Sequence, residues 1–448
     1  MTSTMGYGPI FFSKNTKTYQ SDQHGWAELL PLRKSRPSLE GHIRVPWVVI
    51  GAGVTGLSAA RRLAGHHPKQ KIVLVDAREV GQGASGRNSG YAVKVSQFPG
   101  AFAPEKVNEY RRINRINHAG LTLLRNDVSE NQINCSWHEE GFYHVAADEM
   151  ALRECENHQG YLEALEIPYT LLDQGALTER LGSAHYRRGI HVPEGALIQP
   201  AALVRGLADS LPENVNLYEN SPALDLSYNK TVSVQFPRGR IVADKVILAT
   251  NYEAPKLGFQ NRYLIGSTLS GSFTRALDEE ELTSLGSLRQ WGVLSLHGGG
   301  ATIRLTQDGR ICLRNTAEYH GGNLLSDQQL AERQTIHRAA FERRFPQLAH
   351  VPFEYAWSGV EGISRNGTNF FGRQRENVFF AGGYNGSGVS RGTAFGAALA
   401  DFANGGQSEL IDDCLRSAPA SWIPPRPFLD IGAAYTVRSR FKGVGLDR

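Results

Sequence analysis

Six residues, Gly51-Ala52-Gly53-Val54-Thr55-Gly56, restrict this chain more than any other stretch. In a G-x-G-x-x-G run the first glycine makes a tight turn, the second lets a pyrophosphate approach the backbone, and the third lets a helix pack closely on a strand. The run follows the apolar segment Val45 to Ile50. It precedes Leu57, Ala60, Leu63 and Ala64 at helical spacing, and a second apolar segment, Ile72 to Val75, ends in Asp76. Strand, helix and strand within about thirty residues make a βαβ unit, with the pyrophosphate on the helix N-terminus. An acidic residue at the end of the second strand suits a ribose 2′-hydroxyl and disfavours a 2′-phosphate. The expected dinucleotide is therefore FAD or NAD, touched by Gly51, Gly53, Val54, Thr55, Gly56 and Asp76, with Ala77 and Arg78 beside them.

Two further segments separate FAD from NAD. In Ala84-Ser85-Gly86-Arg87-Asn88-Ser89-Gly90, small residues let the chain skirt a phosphate or a ring while Arg87 or Asn88 donates. A plain surface turn is the alternative. Gly382-Gly383-Tyr384-Asn385-Gly386-Ser387-Gly388-Val389 leads from the apolar run Val378 to Ala381 into a helix rich in small residues. A reduced flavin gathers negative charge at its N1 and C2 carbonyl edge, where a helix N-terminus and free backbone N–H groups favour it. The alternative is a glycine loop that serves only close packing. Gly383, Asn385, Gly386, Ser387, Gly388 and Val389 are the expected contacts here, joined by Ala223 and by Thr250 and Asn251 after the apolar run Val246 to Ala249.

The chain has 448 residues, 41% of them hydrophobic, enough for two interleaved domains. A net charge of +4, with no basic block, gives no nucleic-acid arm. Cys135, Cys155, Cys312 and Cys414 form no C-x-x-C pair, so no metal site is expected. No secretory leader and no membrane-spanning run is seen, which gives a cytoplasmic expectation. The expected order is an arm over residues 1–44, a discontinuous nucleotide domain over 45–100, 195–255 and 350–405, a substrate domain over 101–194 and 256–349, and a tail over 406–448.

These motifs, with Pro37-Ser38-Leu39-Glu40-Gly41 before the first strand and Gly195-Ala196-Leu197-Ile198-Gln199-Pro200 later, resemble the D-amino-acid oxidase and glycine oxidase superfamily of FAD oxidoreductases. The resemblance is strongest to its γ-glutamylputrescine oxidase-like branch. It implies a bilobed fold of mixed α/β and α+β class: a Rossmann-like FAD domain and a mixed-sheet substrate domain covering the flavin. It also implies hydride transfer from the carbon of a C–N bond to flavin N5, giving an imine that water hydrolyses, with no dedicated acid or base. The partners are then a small amine or amino acid and oxygen or another electron acceptor. Where sarcosine oxidase relatives carry a flavin-linking cysteine, this chain reads Tyr355-Ala356-Trp357-Ser358-Gly359, so the FAD is expected to be non-covalent. Ser89 stands where the branch often has a second glycine.

For the substrate, the runs Thr302 to Thr306 and Ile311 to Arg314 flank Gln307-Asp308-Gly309-Arg310, a hairpin signal. A three-residue turn is expected to place Ile303, Leu305, Ile311 and Leu313 on one face and Arg304 opposite Arg314 on the other. Paired guanidinium groups there would hold a carboxylate. A different turn length, or solvent-facing side chains, is the plain alternative; the resemblance favours Arg304. Trp357 and Tyr384 are candidate aromatic walls or simply core, and Tyr252, Tyr319 and Arg365 are weaker candidates. Three rivals share the first glycine motif or the superfamily: a flavin hydroxylase or halogenase, in partial accord with Trp422-Ile423-Pro424, an RNA-modifying flavoprotein, and a non-catalytic dinucleotide module.

Overall fold

The first apolar run is longer than its hydrophobic stretch suggests: the strand spans Gly41–Ile50 and becomes the middle of an eight-stranded sheet. In this computed structural model, which describes residues 24–97, 100–442 and 444–447, that strand pairs in parallel with Gly239–Leu248 on one side and Ile72–Val75 on the other. Val215–Tyr218 and Val378–Gly382 extend the parallel set at either flank. Val48, Val49, Val73, Leu74, Val246 and Phe379 are fully buried or nearly so, as expected of parallel strands covered on both faces. Phe370–Arg375 closes one edge antiparallel, and the hairpin of Asp225–Tyr228 with Val232–Phe236 joins the Gly239–Leu248 strand.

Three helices stack on one another because their contact faces lack side chains. A Cβ at Gly396 of helix Gly388–Ala403 would fall on the carbonyl oxygen of Thr55 in helix Val54–His66. One at Gly120 of helix Val107–Glu130 would fall on that of Ser390. Backbone meets backbone at both crossings.

A second eight-stranded sheet runs in the order Phe353–Ser364, Leu264–Thr274, Ile311–Glu318, Thr302–Leu305, Trp291–Ser295, Phe142–Ala146, Arg188–Val192, Thr170–Asp173. It is antiparallel except where Trp291–Ser295 lies parallel to Phe142–Ala146. Ile303, Leu305, Ile311 and Leu313 share its outer face, as expected, and pack with Phe341 and Phe345 at the end of helix Asp327–Arg344. Ser326 and Gln329 form a capping box at the start of that helix. The architecture is α/β with a second, mixed sheet facing the first across a cavity.

Several segment limits fall elsewhere than the apolar runs suggest. The strand Phe353–Ser364 pairs along Leu264–Thr274 in the second sheet, although it lies after residue 350. Helix Val107–Glu130 packs on Gly388–Ala403 beside the first sheet. Of the arm, residues 1–23 lie outside the described residues; Trp26 is buried edge-on to Phe273, with ring centroids 4.6 Å apart. The tail contains helices Glu409–Leu415 and Phe428–Lys442.

The crossing geometry carries a prediction. Gly396→Ala forces main chain apart and is expected to cost about 1–3 kcal/mol in urea denaturation. Gly65→Ala, where an added Cβ meets nothing within 4 Å, should instead stabilise by about 0.5–1 kcal/mol.

Candidate active site

The parallel strands of the first sheet end together, and the loops that follow them share one cavity of ≈ 2060 Å³. In open α/β sheets this carboxyl edge is where ligands bind. Gly51 has φ +103°, and a Cβ there would stand 2.7 Å from the Ala249 carbonyl oxygen. A Cβ at Gly56 would fall on the carbonyl oxygen of Gly51, and one at Gly53 would stand 2.6 Å from Ser85 Oγ. Each glycine therefore has a steric reason. Ser85 Oγ accepts from Val54 N at 3.1 Å, binding the second glycine segment to the first helix N-terminus.

Asp76 accepts from Ala52 N at 2.7 Å and from Arg78 N at 2.9 Å. Burial pushes its carboxyl up to about 6, against the pull of those two N–H groups. Thr250, next along the edge, has a buried hydroxyl without a partner among the described residues.

The Gly383–Gly388 loop is shaped by asparagines. Asn251 Oδ1 accepts from Gly383 N at 2.9 Å. Asn385, at φ +50°, accepts from Ser364 N at 2.9 Å and donates to the carbonyls of Gly367, Thr368 and Gly383. Gly386, Ser387, Gly388 and Val389 then line the cavity at the start of a 16-residue helix. Two helix N-termini, the Asp76 carboxyl, an orphaned hydroxyl and a glycine cradle around one cavity fit an anionic dinucleotide.

Most expected contact residues stand on the cavity wall, including Ala77, Arg78, Ala84, Asn88, Ser89 and Ala223. Gly56, Gly86, Gly90 and Gly383 lie behind it, as packing glycines. A Cβ at Gly86 would fall on the Gly81 carbonyl, and one at Gly383 would stand 2.6 Å from the Phe370 ring. Arg87 and Asn88 reach the wall but spend their donors on the protein. Arg87 donates to Gln82 O at 2.8 Å and to Ser358 O at 3.0 Å, and Asn88 donates to Ser85 O at 2.8 Å.

Arg304 is corrected outright. It is 1% exposed, is not on the cavity wall, and donates through Nη1 to the carbonyls of Gly90 at 3.0 Å and Ile198 at 2.7 Å. Its guanidinium lies 5.1 Å from the centre of the Trp26 ring. The register explains the error: Thr306 faces Arg310 across the turn, so Arg304 stands opposite Cys312, and Arg314 opposite Thr302. The two arginines share a face as diagonal neighbours. Arg314, not Arg304, lines the cavity, and it donates to Thr302 Oγ1.

Trp357 and Tyr384 touch the cavity but act mainly as clips. Trp357 Nε1 donates to Arg87 O at 3.0 Å, and Tyr384 shares a 2.9 Å hydrogen bond with Thr55 Oγ1. Tyr252, Tyr319 and Arg365 also reach the wall. Sequence reasoning missed Arg391, held by Asn117 at 3.1 Å and Ser96 at 3.0 Å and drawn down to about 10 by burial. It also missed helix Phe428–Lys442, whose small and apolar residues recur every fourth position.

Removing the Arg304 donor strands buried carbonyls. Arg304→Met is therefore expected to lower stability by about 1.5–3 kcal/mol in urea denaturation, with no selective loss of affinity for carboxylate ligands in the folded fraction.

Comparison with known proteins gives the family. The model of the DAO family, described as FAD dependent oxidoreductase, matches residues 46–402. The chain is 27% identical over 361 residues to the probable oxidoreductase OrdL of Haemophilus influenzae, covering 76% of this chain and 79% of that one. It is 25% identical over 403 residues to γ-glutamylputrescine oxidoreductase of Escherichia coli, covering 86% and 91%. Its fold is similar to that of glycine oxidase from Geobacillus kaustophilus, with a TM-score of 0.69 at 18% identity over 82% of this chain and 96% of that one. The chain belongs to the DAO family of FAD-dependent oxidoreductases.

Proposed function

We propose that this enzyme oxidises the C–N bond of a small amine or amino acid. The observation that carries the reading is a single cavity walled on one side by the two glycine loops and on the other by the second sheet, where Thr302 and Arg314 face inward. The names of the relatives above, an amine-derivative oxidoreductase and an amino-acid oxidase, support it.

In this reading Gly51, Gly53, Val54 and Thr55 cradle the pyrophosphate, Asp76 takes the ribose, and Ala223, Thr250 and Gly386 to Val389 complete a non-covalent FAD site. Bound FAD supplies the acceptor for a hydride leaving the carbon that carries nitrogen, and water hydrolyses the imine left behind. The positive end of helix Gly388–Ala403 favours negative charge at that end of the cavity. Arg314 orients an anionic group of the substrate through paired, charge-assisted bonds. Residues 45–100, 195–255 and 350–405 act as the cofactor side and 101–194 and 256–349 as the substrate side, except that helix Val107–Glu130 packs on the cofactor side and strand Phe353–Ser364 belongs to the substrate sheet. The final acceptor is oxygen or another oxidant. All four cysteines are unpaired and buried, in keeping with a reducing compartment such as the cytoplasm.

The purified protein is expected to show a flavin absorption spectrum that an amine or amino acid bleaches without oxygen. A flavin that resists every member of a broad panel sinks the reading. Arg314→Gln should raise KM for carboxylate-bearing substrates about 10- to 100-fold, with a smaller change in kcat and little effect on simple amines. Asp76 adds a pH dependence. Its cofactor-free carboxyl sits up at about 6, and ribose hydroxyls prefer the ionised form, so protonation competes with FAD. The Kd for FAD, followed by fluorescence quenching of the apoprotein, should rise toward tenfold per pH unit as pH falls below that value. Asp76→Asn should weaken binding and flatten the profile.

A further inference from the structure

The chain continues past residue 402, where the family match ends, and what it builds there reaches the same cavity. In helix Phe428–Lys442 the pairs Phe428 with Leu429, Gly432 with Ala433, and Thr436 with Val437 all line it. Ile431 and Tyr435 between them are not on the cavity wall, although Phe428, Gly432 and Thr436 are exposed as they are. A step of four residues is close to one helical turn, so the six make one continuous stripe. Thr436, and Ser439 beyond the six, are the polar residues this helix adds to the wall.

Both ends of the segment are pinned. Ahead of the helix, Ile423 N donates to Arg262 O at 2.7 Å, and Arg426 donates to the Tyr319 hydroxyl at 3.3 Å. Beyond it, Ala301 N and Arg344 Nη2 donate to the main-chain oxygen of Asp447 at 3.0 and 2.7 Å. Ser295 Oγ donates to the Asp447 carboxylate at 2.9 Å, and Val444 and Asp447 are wholly buried. Tyr319 follows the strand Ile311–Glu318, Ala301 precedes Thr302–Leu305, and Ser295 ends Trp291–Ser295. The segment is thus anchored across three neighbouring strands, the ones that bring Thr302 and Arg314 into the cavity.

We propose that helix Phe428–Lys442 is the specificity-determining wall of the substrate pocket. The substrate it selects is an amine with an anionic group for Arg314 and an apolar stem whose length is read at Gly432 and Ala433. This inference rests on the amine-oxidising reading of the same cavity. A Cβ added at Gly432 meets nothing within 4 Å, so a larger side chain there grows into open space instead of breaking a contact.

The test uses the FAD-loaded protein and unreactive probes, the straight-chain carboxylates from acetate to octanoate, titrated against the flavin absorption spectrum. Affinity should rise about fourfold per added methylene and then level off. Gly432→Leu should move that plateau to shorter chains and weaken octanoate at least about tenfold, as lost methylene contacts require. Acetate binding and FAD content should stay unchanged. Gly432→Ala should shift the profile in the same direction by less, and Tyr435→Ser, on the outward face, should leave it alone. A wild-type profile without length dependence overturns the inference, as does Gly432→Leu weakening acetate and octanoate equally or neither. Oxidation is scored separately: a protein that ranks the probes as described but is bleached by no amine refutes the reaction and not the wall.

Discussion

The site depends on main chain touching main chain. At Gly56 the first helix lies against the loop that precedes it, at Gly396 the last helix of the first sheet lies against Thr55, and at Gly120 a third helix lies against Ser390. None of these contacts leaves room for a methyl group. Together they fix the heights of helices Val54–His66 and Gly388–Ala403 so that both N-termini open onto one cavity. The Tyr384–Thr55 hydrogen bond ties the same two elements from the side. A pair of positive helix ends is useful to an anionic ligand only within the first turn, so small errors in that stacking would separate them from any shared ligand.

The same dependence decides what could be read from sequence. Glycine has few reasons to recur at fixed spacing, and the steric reasons at Gly51 and Gly56 are the ones the motif implies, while at Gly53 an added Cβ would meet the Ser85 hydroxyl. Apolar runs ending at Ile50, Val75 and Leu248 likewise announce parallel strands with a common edge. The hairpin was less legible. The inward and outward faces follow from alternation, but which residues stand opposite one another depends on whether Thr306 and Arg310 pair across the turn. They do, with Gly309 at φ +74°, and the partner of Arg304 changes from Arg314 to Cys312. Alternation along a strand cannot carry that information, because a register shift of two residues leaves every side chain on its own face.

Polar residues near a ligand loop posed a related ambiguity. Asn251, Asn385, Asn88 and Arg87 all sit where donors to a cofactor would be expected. Yet a buried glycine-rich loop leaves many of its own N–H and C=O groups without helix or sheet partners, and these must be satisfied. From a single left-handed position Asn385 meets the Gly383 carbonyl of that loop and three main-chain groups of the neighbouring turn at Ser364, Gly367 and Thr368. These side chains reach the wall but spend hydrogen bonds on the protein, so they hold the cradle in shape. Arg304 does the same on a larger scale, joining the second sheet to the Ser89–Gly90 turn with a buried cation. Desolvation makes that cation costly, and the carbonyls around it are what offset the cost.

The cavity is lined by both sheets and by a third element beyond them, helix Phe428–Lys442. Hydride transfer asks for a substrate held at one distance with bulk water excluded. That helix is anchored on either side, through Ile423 and Arg426 before it and Asp447 after it. Its stripe of small and apolar residues adds to an apolar surface that the second sheet also supplies through Ile265, Leu269, Leu294 and Val360, beside the polar Thr302 and Arg314. The fold thus separates two tasks: backbone contacts within residues 46–402, the stretch that matches the family, set the cofactor side, while a helix beyond that stretch shapes what can enter. Variation in the second can change the substrate without disturbing the stacking on which the first depends.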